Sequence, residues 1–296
     1  VLRLEGGADA VLQVEQVGLN GLGTVSHGGT LNREQVEIGG QHSIHPGTSA
    51  VGVGQSGRLD RAFRRMQRLQ TNKESEMAKR IQFSQHGGSE VLEYRDYQPA
   101  APGPREVRVA NKAIGLNFID TYFRSGLYQP PALPSSLGTE GAGVVEAIGS
   151  EVEGLKVGDR VAYATGPLGA YSELHVLPAD NLVHLPDSIS FEQAAAVMLK
   201  GLTVQYLLRQ TYELKGGETI LFHAAAGGVG SFACQWAKAL GVNLIGTVSS
   251  AKKAALAKEL GAWETIDYSH ENVVQRVLEL TDGAKCPVVY LSLIHI

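Results

Sequence analysis

The sequence predicts an α/β chain in two parts: a mostly antiparallel β region, then a doubly wound parallel sheet. Three observations predict it. From residue 77 to about residue 185, short apolar runs are split by Gly and Pro. After Pro186 short apolar strands alternate with helical stretches of about ten residues. The first of those strands enters a turn of alanines and glycines, Ala224 to Gly230, and a helix leaves it.

Each element follows from local pattern. Met77 opens a β-type beginning, Lys79 to Phe83. The runs Val107–Ile114, Ala142–Ile148 and Arg160–Tyr163 read as strands, with Val157 to Val161 (VGDRV) a turn feeding the last. Asp187 or Ser190 can cap a helix through Phe191 to Leu199. Thr219–His223 lacks polar alternation, as a strand buried on both faces does. A helix near Gly228–Leu240, a strand Val242–Val248, a helix near Ala251–Leu260, a strand Glu264–Asp267, a helix Glu271–Leu280 and a strand start at Pro287–Tyr290 follow.

Bulk properties exclude several classes. Net charge is −4, which gives no general attraction to nucleic acid or anionic membrane. No apolar run is long enough to suggest a membrane span, and no basic-then-apolar leader opens the chain. The two cysteines, Cys234 and Cys286, form neither a disulfide framework nor a cysteine-rich zinc site, and a reducing cytoplasm is the simplest setting.

Both ends differ in texture. Residues 1–76 hold 13 glycines and a single aromatic, Phe63, too little for a core. Only Leu59–Gln70 reads as a helix, basic through Arg61, Arg64, Arg65 and Arg68, and a solvated face is favoured there over a nucleic-acid arm. Lys73-Glu74 can be encoded by AAG GAG, a ribosome-binding sequence just ahead of Met77, so residues 1–76 are expected to be a non-native or disordered extension. Leu291–Ile296 is what CTG TCT CTT ATA CAC ATC encodes, a sequencing adapter, so residues 291–296 are expected to be a foreign tail on a C-terminally truncated chain.

The stretch from Thr219 to Gly230 (TILFHAAAGGVG) carries the chemistry. Small residues let backbone amides approach a pyrophosphate, and the helix N-terminus adds positive potential. Gly227, Gly228 and Gly230, with Val229 between, form this loop, while Ala225 stands where a plain G-x-G-x-x-G has its first glycine. The second strand chooses the cofactor. An NAD site usually places Asp or Glu there, whereas this strand ends in TVSSAKK, Thr247 to Lys253. Ser249 and Lys252 or Lys253 suit a 2′-phosphate, hence NADPH. His223 reads as a satisfied core histidine and Cys234 as a small buried hydrophobe.

With these motifs in hand, residues 77–290 resemble the quinone oxidoreductase (zeta-crystallin-like) branch of the medium-chain dehydrogenase/reductases, most like the bacterial NADPH:quinone reductases. Asn111–Tyr122 (NKAIGLNFIDTY), Leu137–Gly143 (LGTEGAG), Lys200–Val204 (KGLTV), the Gly217-Glu pair, the Ala225–Gly230 loop, Gln235 and Lys238 carry the resemblance. It implies a GroES-like mostly β catalytic domain at residues 77–198, a partial Rossmann domain at residues 199–290, a cleft between them, and a homodimer. Zinc relatives take a Cys near the position of Asn117 and a His from Gly-His-Glu; here Thr139 replaces that His, so no metal is expected. By the same resemblance Asn117, Asp120, Tyr122 and Tyr128 line the nicotinamide end. Asn117 and Tyr122 are expected to hydrogen-bond the acceptor carbonyl, and Tyr128 to pack on substrate. Phe118, Thr203 and Tyr206 sit near the cofactor, and Tyr268 flanks the adenosine phosphate with Lys253. The implied activity is NADPH-dependent hydride transfer to a quinone; the alternatives are reduction of an enone C=C bond, or nucleotide binding without turnover.

Overall fold

The computed structural model describes residues 77–291 and two short strands, β1 (Leu2–Arg3) and β2 (Gln13–Val14). The expectations for the rest of residues 1–76, among them the Leu59–Gln70 helix, and for residues 292–296 lie outside the described residues.

The β region contains β3 (Ala78–Phe83), β4 (Glu93–Tyr97), β5 (Glu106–Ile114), helix α1 (Phe118–Ser125), β6 (Ser135–Ser136), β7 (Gly141–Ile148), β8 (Arg160–Tyr163), β9 (Leu174–Pro178) and β10 (Val183–His184). One antiparallel sheet runs β10-β8-β7-β5-β1-β2, with β9 also paired to β5; β4-β3-β6 form a second. Alternation explains β5: Val107 and Val109 turn inward and are fully buried, meeting Val145, Val161, Tyr163 and Leu177, while Ala113, also fully buried, packs with Ala142 and Ala162. Helix α1 stands out because this stretch reads as β by composition. Asn117 is its N-cap, and the Asp120 carboxylate accepts from the Asn117 backbone N–H at 2.9 Å. Gly126 ends it in the left-handed conformation at φ 86°.

Helix α2 (Phe191–Tyr206) begins as expected. Ser190 accepts from the Gln193 N–H, and the Gln193 side chain accepts from the Ser190 N–H at 2.9 Å. It runs past the predicted end at Leu199 and continues as a π turn, Leu207–Thr211. The physical reason is that its two halves bury against different sheets. Ala194 and Ala195 pack on Ala113, Ala142 and Ala162 of the β region, while Val204 and the following Leu208 pack on Ile220 and Ala233. Tertiary burial therefore extends a helix that local signals would stop.

β11 (Thr219–Phe222), α3 (Gly228–Ala239), β12 (Asn243–Val248), α4 (Ala251–Glu259), β13 (Glu264–Asp267), α5 (Val273–Leu280) and β14 (Val289–Tyr290) complete the described chain. The strands are parallel in the order β13-β12-β11-β14. The order reverses between β11 and β14, and in open α/β sheets the crevice at the carboxyl ends of such strands is where ligands bind. Ile220, Leu244, Ile245 and Ile266 are fully buried, as strands covered on both faces require.

One buried group is expected to make the β region acid-sensitive. His175, on β9, is only 5% exposed, and Nε2 lacks a hydrogen-bond partner. It lines a cavity of about 680 Å³ with Tyr97, Phe123 and Ser172. Burial pulls its pKa down to about 4, against the opposing effect of a bond to the Pro167 carbonyl. As pH falls from about 6.5 to about 4, the unfolded chain binds a proton that the folded chain refuses. Stability is expected to fall by about 3 kcal/mol over that window. Urea unfolding of the His175→Gln variant across these pH values should show a flatter dependence; an unchanged slope would assign the acid sensitivity elsewhere.

Candidate active site

A buried polar network joins the two parts at α1, β7 and α2. Glu140, just before β7, is fully buried. Its Oε1 accepts from the Leu199 N–H at 2.8 Å; its Oε2 accepts from Asn117 Nδ2 at 2.6 Å and from Lys200 Nζ at 3.2 Å. Lys200 Nζ also donates to Asn117 Oδ1 at 2.8 Å. Gly115 leaves room for this carboxylate, since a Cβ there would stand 2.1 Å from Glu140 Oε2 and 2.6 Å from the Ala195 carbonyl oxygen. Neither Glu140 nor Lys200 was singled out for a role from sequence. The available signal was a carboxylate inside an otherwise small and apolar run (LGTEGAG) and a lysine inside an apolar helix.

Asp120 is placed differently from the expected cleft-lining role. It is 4% exposed; its Oδ2 accepts from the Asn117 N–H at 2.9 Å and from the Tyr171 hydroxyl at 2.8 Å, and Oδ1 has no partner. Burial raises its pKa, partly offset by those two bonds. Asp120 therefore acts on α1 and on the backbone of Asn117 from beneath.

The aromatic residues do come together. Tyr122 touches Phe118 with ring centroids 5.5 Å apart and Tyr128 at 5.4 Å, both edge-on, and Tyr128 also meets Phe123 at 5.7 Å. Phe118 and Tyr128 remain exposed, so this cluster offers an apolar wall to solvent. On α2, Tyr206 is also exposed, whereas the Thr203 hydroxyl is spent on the Leu199 carbonyl at 2.8 Å.

The loop after β11 is built for close approach. Ala224 adopts φ 55°, and its N–H is held by Thr247 Oγ1 at 3.2 Å. Gly227 is the N-cap of α3, and Gly227 and Gly228 are exposed while Val229 is half-buried. At Gly230 a Cβ would stand 2.4 Å from the Ala224 carbonyl oxygen and 2.6 Å from backbone atoms of Ala225. At Gly228 a Cβ would meet Lys200 Cε at 3.3 Å, so the loop and the polar network are neighbours.

Beyond the end of β12, Lys253 Nζ donates to Ser249 Oγ at 2.9 Å, and Ser250 caps α4. Tyr268 is bonded through its N–H to the Val248 carbonyl and is exposed beside them. Ser249, Lys253 and Tyr268 thus form one group at the second strand, apart from the group around Asn117. His223 Nδ1 lies 3.0 Å from Thr247 Oγ1, and Cys234 is fully buried.

A dinucleotide fits these surfaces: exposed glycines, a helix N-terminus and a loop that a Cβ at Gly230 would obstruct. A catalytic zinc does not fit. The cation paired with Glu140 is the Lys200 ammonium. Among the described residues no cluster of three or more His, Cys, Asp or Glu is placed to hold a metal. Among the described residues no helix is long and apolar enough to cross a membrane.

An irregular antiparallel β region and a parallel βαβ sheet whose first strand runs into a small-residue loop at a helix N-terminus define the architecture of a medium-chain dehydrogenase/reductase. The "Alcohol dehydrogenase GroES-like domain" family matches residues 103–187, and "Zinc-binding dehydrogenase" matches residues 228–294. The quinone oxidoreductase of Pseudomonas aeruginosa is 82% identical over 216 residues, which are 73% of this chain and 66% of that protein. The crystal structure of the Escherichia coli quinone oxidoreductase complexed with NADPH is 60% identical, with TM-score 0.72 over 73% of this chain and 66% of that one. A 2-haloacrylate reductase from Burkholderia is 42% identical over 70% of this chain and 64% of that protein. The chain belongs to the zinc-free quinone oxidoreductase (zeta-crystallin-like) family of medium-chain dehydrogenase/reductases. It spans 66% of the length of the first quinone oxidoreductases it matches.

Proposed function

We propose that the protein transfers hydride from NADPH to a quinone or similar conjugated carbonyl without a metal. The observation that carries the reading is the loop Ala224–Gly230 lying against Lys200, which itself bonds Asn117. When bound, NADPH supplies the hydride. The chain's own residues bind, orient and polarise. Gly227, Gly228, Val229 and Gly230 receive the pyrophosphate, with Thr203, Tyr206 and Phe118 around the nicotinamide side. Asn117 and Tyr122 donate to the acceptor oxygen as negative charge builds there. Tyr128 packs on the ring of the acceptor, and Asp120 holds the start of α1 that carries Asn117. A cytoplasmic setting, a homodimeric full-length protein and no nucleic-acid partner belong to the same reading. So does a catalytic domain over residues 77–198 with the cofactor domain over residues 199–290.

The likeness to a 2-haloacrylate reductase favours C=C reduction as the second reading. Both acceptors receive hydride at an electron-poor conjugated centre, so a paired quinone and enone screen decides between them by kcat/KM.

Cofactor choice is tested at the second strand. The Lys253 ammonium already bonds Ser249 Oγ, which leaves two N–H donors for a 2′-phosphate. Lys253→Ala is expected to weaken NADPH binding roughly tenfold or more, one charge-assisted hydrogen bond, and to leave NADH binding unchanged. Fluorescence quenching titrations with both nucleotides measure this. Equal loss for both would remove the 2′-phosphate assignment.

A further inference from the structure

We propose that Lys200 is a positioning residue that locks the Asn117 side-chain amide in the one orientation able to donate to an acceptor oxygen, and that couples this amide to the cofactor loop. The proposal rests on the hydride-transfer reading above. Its physical basis is the donor and acceptor inventory of three side chains. A lysine ammonium only donates, so its 2.8 Å contact with Asn117 must be to Oδ1. An ionised Glu140 only accepts, so its 2.6 Å contact with Asn117 must be from Nδ2. Flipping the amide would set Nδ2 against an ammonium and Oδ1 against a carboxylate, two repulsive contacts in a site where Glu140 is fully buried. One Nδ2 proton is used by Glu140, and the second remains for the substrate. Without Lys200, Glu140 alone still accepts one bond from Asn117, yet the oxygen side of the amide loses the partner that defines it.

The stem of Lys200 adds the coupling. Its Cε, Cδ and Cγ lie beneath Gly228, within 3.3 to 3.9 Å of where a Cβ would project. The residue is anchored by position on α2, whose Leu199 N–H is bonded to the other oxygen of Glu140. A shift of the α3 N-terminus therefore presses on the same side chain that orients Asn117. The Lys200 side chain is 20% exposed; its stem carbons meet Gly228 while its ammonium donates to Asn117 and Glu140.

The test is Lys200→Met and Lys200→Arg in the purified protein, each alone and combined with Asn117→Ala. Three quantities are read: kcat and KM with 1,4-benzoquinone, the NADPH dissociation constant, and the side-chain amide resonances of Asn117. Lys200→Met is expected to lower kcat roughly tenfold or more, within what loss of one oriented donor costs. NADPH affinity should change far less than kcat, the Asn117 amide resonances should move or broaden, and the same change should cost little further in an Asn117→Ala background. Lys200→Arg, which keeps donors of the right charge, should recover part of kcat and the parental amide resonances. Parental Asn117 resonances in Lys200→Met, or a full loss that adds independently to that of Asn117→Ala, would overturn the proposal. If Lys200→Met does not fold, Lys200→Arg decides: Asn117 resonances unlike the parent's with kcat intact overturn it. A parent that binds NADPH but reduces no quinone defeats the hydride-transfer reading alone, and the resonance comparison still decides the role of Lys200.

Discussion

Replacing Gly230 by valine is expected to abolish useful NADPH binding, raising the dissociation constant roughly a hundredfold, about 2.7 kcal/mol. The first turn of α3 passes so close to the loop that a Cβ at residue 230 would stand 2.4 Å from the Ala224 carbonyl oxygen and 2.6 Å from Ala225 Cα. These are backbone atoms, with no side chain to swing aside. Ala224 is itself held at φ 55°, with its N–H bonded to Thr247 Oγ1 and that of Ala225 to the Thr247 carbonyl. The loop can relieve the clash only by moving the N–H groups that would face a pyrophosphate. Overpacking of this kind costs about 1–3 kcal/mol in stability, so the melting temperature falls while much of the fold survives. Calorimetric titration on a sample with a cooperative thermal transition gives the answer. Binding within threefold of the parent would mean that the loop does not contact the nucleotide.

Removing Glu140 is expected to be the most destabilising change at the site. The carboxylate is fully buried and accepts three hydrogen bonds, from the Leu199 N–H, Asn117 Nδ2 and Lys200 Nζ. Glu140→Ala leaves the Leu199 N–H and Asn117 Nδ2 without this acceptor, leaves Lys200 Nζ bonded to Asn117 Oδ1 without its counter-charge, and opens a cavity beneath Gly115. Breaking one partner of a buried pair costs about 3–5 kcal/mol. The lower end applies here, because Lys200 is 20% exposed and recovers some hydration. Combining Glu140→Ala with Lys200→Met removes the unpaired charge and should cost less than the sum of the two single changes. Denaturant midpoints measure all three variants. A loss below about 1 kcal/mol for Glu140→Ala would show that the network contributes little to the fold.

Much of the second part was legible because its signals are local. The β13-β12-β11-β14 sheet grew from apolar strands in nearly the predicted places, and α3 follows the loop at Gly228. The Ser190 cap with Gln193 starts α2 where predicted. Two features were not anticipated, for plain causes. Helix α1 lies between turns in a region whose composition reads as β, and its one clear marker was the Asn117-x-x-Asp120 spacing of a capping box. Helix α2 outruns Leu199 because Val204 is buried by the second sheet, which no local rule anticipates.

The sequence by itself determined the class of architecture, the small-residue loop, the acid-free end of β12 with Ser249 and Lys253, and the residue types at Asn117, Tyr122 and Tyr128. Periodicity, turn chemistry and residue size act over a few neighbours, so they can be read along a line. Only the tertiary structure decided which way the Asn117 amide faces. Its partners are 23 residues away at Glu140 and 83 away at Lys200. Tertiary structure also turned Asp120 inward, to a position 51 residues from its Tyr171 donor. Hydrogen bonds between such distant residues form only when the chain has been brought together by burial of its apolar faces, and that burial leaves no local pattern at the residues it joins.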